Sequence, residues 1–243
     1  MNSRIFRPAT HQLTALLLSC AVFMVACASE SNAVDEQSVA PDINKNFVSP
    51  DIDVRLWAKR FEGESREVYR ARQAVVAALD LKAGASVADI GAGTGLFVQL
   101  FAQSVGPQGE VLAVDISPKF IEFIATNAAR DGLDNVRTQL GGDRGAELPS
   151  ASVDVIFHSD TYHHFEFPAA MNADLLRSLK SQGELFVLDF ERIPGVTREG
   201  LLQHVRAPKE VVIKEIEASG FVLVEEIEVA GLVENYLLRF KKP

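Results

Sequence analysis

From Val68 onward the apolar residues keep two alternating rhythms. "VADI" (Val87 to Ile90), "EVLAVDI", "NVRTQLG", "SVDVIFH" and "GELFVLDF" are short apolar runs bounded by turn residues, which is the pattern of strands. Between them the apolar positions recur every three or four residues, the period of a helix packed on one side. The first such stripe, Val68, Ala71, Val75, Ala78 and Leu79, predicts a helix from about Glu67 to Leu81 that "KAGAS" breaks. Further helices are expected at Leu96–Val105, in "SPKFIEFIATNAARDG" with Ser117 as cap and Pro118 in its first turn, in "PAAMNADLLRSLK" and in "PKEVVIKEIEASG". "FVLVEEIEV" and "ENYLLRFKK" have too little chain between them for a crossover, so they should pair as an antiparallel hairpin on a short turn. The expected fold is α/β: an open, mainly parallel sheet with a C-terminal antiparallel hairpin and helices on both faces. Such a sheet binds its ligand beyond the carboxyl ends of its strands, so the loops that leave those ends should share one crevice.

The first residues follow another pattern. Arg4 and Arg7 precede the apolar run Leu13–Ala28, and a polar stretch follows. A basic start, a short apolar run and small residues at its end are the parts of a bacterial export signal. The run is short for a membrane span of ~20 residues. "MVAC" resembles a lipobox ending at Cys27, "LLSC" fits locally at Cys20, and Ala26-Cys27-Ala28 also suits ordinary cleavage. The expected organisation is a signal or lipoprotein segment 1–27, a polar linker 28–46 and a domain 47–243, with 47–82 as a helical lid region. The expected location is the periplasm, with a lipid anchor at Cys27; a cleaved soluble form and an uncleaved anchor are the alternatives. Cys20 and Cys27 are the only cysteines, so the domain has no disulfide, cysteine metal site or cysteine nucleophile.

Composition adds little beyond this. A net charge of −9 argues against a broad nucleic-acid-binding face, because phosphate contacts need clustered Lys and Arg.

The candidate chemistry begins with "VADIGAGTG". Gly91, Gly93 and Gly95 follow the first strand and precede a helix, where they let the backbone take positive φ and approach a ligand closely. The pattern is GxGxG, and Leu96 stands where the dinucleotide fingerprint requires its third glycine. Asp115 ends the second strand, 20 residues beyond Gly95, where a carboxylate can accept hydrogen bonds from both ribose hydroxyls. Asp143, in "GGDRGAELP" after the third strand, is placed to accept from an exocyclic amine such as that of adenine.

Together these motifs resemble the class I S-adenosylmethionine-dependent methyltransferases, over about Val68 to Lys242, including the terminal hairpin. The resemblance implies a Rossmann-like fold, S-adenosyl-L-methionine as cofactor and a small-molecule methyl acceptor. It implies that Asp89, Gly91, Gly93 and Gly95 border the methionine end, that Asp115 holds the ribose and that Asp143 holds the adenine, with Ile116 and Arg144 as further cofactor-binding candidates. The stretch "FHSDTYHHFE" after the fourth strand then falls at the mouth of the crevice, where the methyl points. Asp160, Tyr162, His163 and His164 are the catalytic candidates there, with an imidazole orienting the acceptor or taking its proton.

Metal binding by His158, Asp160, His163 and His164 is an open alternative. Asp160 and Asp189 also follow the strands where cation-dependent methyltransferases place carboxylates. Adjacent histidines point apart unless the loop is distorted, so no metal site is assigned. A purely structural role for one imidazole is the third reading. Arg192, His204 and Arg206 lie on the same expected rim, and the two arginines are candidates to hold an anionic acceptor. "WAKRFEGESREVYR" offers Arg60, Phe61, Arg66 and Tyr69 as a lid. The rival functions are a metabolite-binding protein without catalysis and a nicotinamide-dependent oxidoreductase.

Overall fold

The structure is a computed structural model that describes Met1 and residues 36–243. The expected signal segment, both cysteines and residues 28–35 of the expected linker lie outside the described residues. No helix among the described residues is long and apolar enough to cross a membrane.

Seven strands form one sheet: β1 (Ser86–Ile90), β2 (Glu110–Asp115), β3 (Val136–Leu140), β4 (Val153–Ser159), β5 (Leu179–Phe190), β6 (Val222–Glu226) and β7 (Asn235–Lys241). Their order is β3-β2-β1-β4-β5-β7-β6. The first five pair in parallel, and β7 pairs antiparallel with both β5 and β6. The chain winds from β1 outward to β3, then returns to place β4 on the other side of β1. This is the reversal at which open α/β sheets leave a crevice.

The helices are α1 (Val54–Phe61), α2 (Glu67–Ala78), α3 (Val98–Val105), α4 (Pro118–Arg130), α5 (Pro168–Ser178), α6 (Glu199–His204) and α7 (Lys209–Ala218). Period-two alternation in the strands sends side chains to opposite faces. Val87, Val111, Ala113, Phe157 and Leu188 pack with Val75 of α2, Phe101 of α3 and Ile124 of α4. Ala88, Val114, Ile156, Leu185 and Val187 pack with Leu175 of α5 and Ile216 of α7. Val153 and Val155 break the alternation and belong to opposite cores, because a register irregularity between β4 and β5 falls between them.

Four local expectations change. Ser117 takes the N-cap position of α4 but makes no side-chain capping bond: its backbone N–H donates to Asp115 Oδ1 at 2.8 Å, and its hydroxyl is buried without a partner among the described residues. The last two strands are antiparallel as expected, yet residues 227–234 lie between them in place of a short turn. α5 stops at Ser178 and β5 starts at once, so Lys180 is strand and not helix. Residues 36–46, expected as linker, are bonded to the domain. Glu36 accepts at 2.8 Å from the N–H groups of Ala169 and Ala170 in the first turn of α5, and Asn44 Nδ2 donates to the His164 carbonyl at 3.0 Å.

Candidate active site

The loops beyond the carboxyl ends of β1, β2, β3, β4 and β5 enclose one cavity of about 350 Å³. That lies at the lower end of the range for small-molecule sites.

The floor is the turn after β1. Gly91, Gly93 and Gly95 have φ of 68°, 55° and 88°, the left-handed region that side chains other than glycine rarely adopt. A Cβ on Gly91 would come within 2.3 Å of Thr161 Cγ2, so this glycine also lets the β4 loop close against the turn. Asp115 faces the same turn: its Oδ2 accepts the Gly93 N–H at 2.8 Å and its Oδ1 accepts that of Ser117. A carboxylate has about four acceptor sites, so capacity remains for a hydroxyl donor. Burial raises Asp115 to about 6, although N–H donors from Ser117, Gly93 and Ile116 oppose the rise. Burial raises Asp89 further, to about 8, and the Asp115 charge adds to the effect. Asp89 is therefore mostly protonated at neutral pH, and a nearby cation would release its proton.

The remaining cofactor candidates divide. Ile116 and Asp143 line the cavity. Arg144 turns outward: its guanidinium lies 3.6 Å from the Phe167 ring and donates to the Glu36 carbonyl at 3.1 Å.

The roof comes from the chain before β1. Phe47, Trp57 and Phe61 form an aromatic series with ring centroids 4.9 and 5.2 Å apart, and Phe120 from α4 joins it. Glu62 fixes the end of α1 by accepting the Thr94 hydroxyl at 2.6 Å, directly above the glycine turn. Of the lid residues named from sequence, Phe61 and Arg66 reach the cavity. Phe47 and Phe120 were not singled out from sequence, because one falls at the linker boundary and the other reads as helix core.

The rim is built by the opening of the β4–α5 loop. Asp160 has φ 49°, and a single 3-10 turn, Tyr162–His164, follows. The turn parts the four catalytic candidates. Tyr162 is fully buried away from the cavity, its hydroxyl donating to Glu215 Oε2 and accepting from Asn172 Nδ2, both at 2.9 Å. Asp160 touches the cavity but is held by an ion pair with Arg66 and by Asn235 Nδ2 at 2.6 Å. His163 and His164 both face the cavity, with ring centroids 4.4 Å apart. The expected divergence of adjacent histidines fails because the tight turn swings the two rings together.

His163 Nδ1 lies 2.7 Å from Asp189 Oδ1, and Asp189 Oδ2 accepts the His163 backbone N–H at 3.1 Å. Burial alone would lower His163, but the Asp189 charge and hydrogen bond outweigh it and raise the imidazole above its ordinary value. Burial likewise pushes Asp189 up, and His163 pulls it below the usual carboxylate range. His164 is driven to about 3 by burial and then by the charges of His163 and His204, so it is neutral at physiological pH. His204, at the end of α6, also reaches the cavity and is lowered mainly by burial.

The other rim candidates are engaged elsewhere. Arg206 pairs with Glu215 at 2.6 Å, and Arg192 donates to the Val205 and Leu202 carbonyls, so no two-arginine clamp forms. His158 is buried against Tyr162 and Phe165, and neither of its ring nitrogens has a partner among the described residues. The four-residue metal set that includes His158 and Asp160 is therefore not assembled.

A glycine turn, an acidic end of the second strand and an antiparallel last strand, gathered at the sheet reversal, define the Rossmann-like methyltransferase class. The sequence matches the methyltransferase domain family over residues 81–225, more than half of the chain, and the chain belongs to that family, within the class I S-adenosylmethionine-dependent methyltransferases. Among curated relatives it is 31% identical over 107 residues to nocamycin O-methyltransferase of Saccharothrix syringae, covering 44% of this chain and 38% of that protein. It is 30% identical over 106 residues to arsenite methyltransferase of Halobacterium salinarum, covering 44% of this chain and 27% of that one. The chain thus spans less than half the length of these two relatives. The fold is similar to a SAM-dependent methyltransferase from Aquifex aeolicus, with TM-score 0.68 and 23% identity over 78% of this chain and 98% of that one. Family and fold together imply S-adenosylmethionine binding.

Proposed function

We propose that this protein transfers a methyl group from S-adenosylmethionine to a small-molecule acceptor held at the imidazole rim. The observation that carries the reading is the Asp115–Gly93 hydrogen bond. It makes the acidic strand end and the glycine turn one continuous wall of a cavity whose far rim is His163 and His164.

The residues present fit the cofactor. Asp115 keeps acceptor capacity for the ribose diol, and Asp143 stands on the cavity wall as acceptor for the adenine amine. Asp89 becomes the anionic partner of the positively charged methionine end. Phe47, Trp57 and Phe61 cover the adenosyl group and exclude water. When bound, S-adenosylmethionine supplies the electrophilic methyl. The protein would hold the acceptor in line with it, and such alignment can supply a large part of a rate enhancement. His164 and His204, both lowered mainly by burial, are neutral groups that can hydrogen-bond and orient the acceptor, and His163 is fixed in orientation by Asp189.

Calorimetry separates this reading from its rivals. S-adenosylmethionine should bind with one site per chain and NADH should not; NADH binding with no response to S-adenosylmethionine would support the oxidoreductase. Transfer from methyl-labelled cofactor into small-molecule extracts distinguishes an enzyme from a protein that only binds. We also propose that the chain is exported and lipid-anchored through Cys27, as its sequence pattern suggests. Incorporation of a fatty-acid analogue that disappears in Cys27→Ala is the expected outcome.

A further inference from the structure

His163 and His164 come from the 3-10 turn after β4 and His204 from the end of α6, yet one nitrogen of each lies within 4.8 Å of the others. The ring centroids are 4.4, 4.9 and 5.0 Å apart, so the three imidazoles form a closed triangle. Among the described residues no hydrogen bond links the three rings, and buried His164 Nδ1 has no partner at all. A buried polar atom without a partner is destabilising, so a triangle of imidazoles calls for something between them. Asp189 occupies the position that such an occupant requires. With His163 Nδ1 donating to its carboxylate, the His163 lone pair lies on Nε2. A carboxylate behind a histidine in this way orients metal-bound imidazoles and increases their basicity.

We propose that His163, His164 and His204 form a three-imidazole site for one divalent transition-metal ion of the zinc type, with its open coordination position turned into the acceptor end of the cavity. Three nitrogen donors with neither carboxylate nor carbonyl in the set disfavour magnesium and calcium, which take oxygen ligands. Zinc–nitrogen bonds of about 2.0–2.1 Å in tetrahedral geometry place ligand nitrogens roughly 3.3–3.4 Å apart. The triangle therefore needs to contract by about 1.5 Å at most. His204 can supply the movement on its two edges of the triangle, because it is exposed at the end of the six-residue helix α6, while the His163–His164 edge closes by rotation of those rings.

The inference deepens the methyltransferase reading and rests on it for its consequence, which is the acceptor class. An acceptor with an O–H or S–H group would bind at the open position and lose its proton to water, since a coordinated divalent ion lowers such pKa values. The resulting anion attacks the methyl carbon, the bond from oxygen or sulfur to carbon forms, and the carbon–sulfonium bond breaks. Its electron pair stays on the cofactor sulfur, which leaves as a neutral thioether. Hydroxyl, phenol and thiol acceptors are favoured over a carbon acceptor that cannot ligate a metal.

The test uses the untagged full chain, stripped with a chelator and titrated with Co²⁺ alone. One equivalent should bind with the visible spectrum of a four- or five-coordinate ion, and Zn²⁺ should displace it. His204→Ala should weaken Co²⁺ binding by at least about 100-fold and His164→Ala comparably, while Asp189→Asn should weaken it about 10–100-fold. A spectrum that remains that of hydrated Co²⁺, or a His204→Ala protein that binds as tightly as the parent, would overturn the proposal. S-adenosylmethionine titrated into the same stripped protein reads the cofactor site independently. Failure there with intact Co²⁺ binding sinks the methyltransferase reading and leaves the metal site standing.

Discussion

Asp115 and Asp89 are two buried carboxylates on one wall, and their environments separate their charge states. Replacing Asp115 by Asn keeps the shape but removes a charged acceptor, and charge-assisted hydrogen bonds contribute about 1.5–3 kcal/mol. Asp115→Asn should therefore weaken S-adenosylmethionine binding roughly 10–100-fold by calorimetry. Binding should also weaken as pH falls through about 6, where Asp115 takes up a proton and loses acceptor capacity. At pH 7 the cationic cofactor should displace up to one proton from Asp89, visible as a binding enthalpy that depends on the buffer's ionisation enthalpy. For Asp89 the folded pKa is raised above the unfolded value. Its contribution to stability is thus complete below the unfolded pKa near 3.8 and is lost as pH rises towards about 8. Asp89→Asn should consequently increase the unfolding free energy of the cofactor-free protein at pH 8, by up to a few kcal/mol in denaturant titrations, while weakening the cofactor complex. Asp115 and the glycines were legible in the sequence because their positions follow from strand ends. Tyr162 and Arg206 were not, since chain position does not say which way a side chain turns, and both turn to Glu215.

Elements decide which residues meet. The sequence places His163 and His164 in the correct loop, but only the 3-10 turn behind Asp160 brings both rings to the cavity. His204 depends on α6, six residues with little periodicity and therefore without a helical signature in the sequence. The roof is likewise a matter of elements. α1 is N-capped by Asp53, which accepts from Leu56 N–H at 3.0 Å, but its contacts with Phe47 and with Thr94 are long-range and leave no local trace. Lys59 and Arg60 are exposed on α1 and offer tryptic sites. Saturating cofactor should slow cleavage there several-fold, because ligand bound under Trp57 and Phe61 opposes local opening of the helix. Glu62→Ala, which removes the tie to Thr94, should restore rapid cleavage and weaken the cofactor modestly. Cleavage unchanged by cofactor would mean that the aromatic series does not cover the ligand.

At the scale of the molecule, the parallel order and its reversal between β1 and β4 put the glycine turn, Asp115 and the histidine loop on one side of the sheet. This much was legible from the alternation of apolar runs, because burial on both faces demands continuous apolar strands covered by helices. The antiparallel end was legible too, although the length of its connection was not. The attachment of residues 36–46 was missed because polar composition conceals specific bonds such as those of Glu36 and Asn44. All of these features bear on one proposed arrangement, a cofactor spanning from Asp115 to the imidazole rim. A crystal structure of the chain with S-adenosylhomocysteine tests that arrangement most directly. The expected result is both ribose hydroxyls on Asp115 and the sulfur facing His163, His164 and His204; a ribose away from Asp115, or a sulfur turned from the histidines, would contradict it.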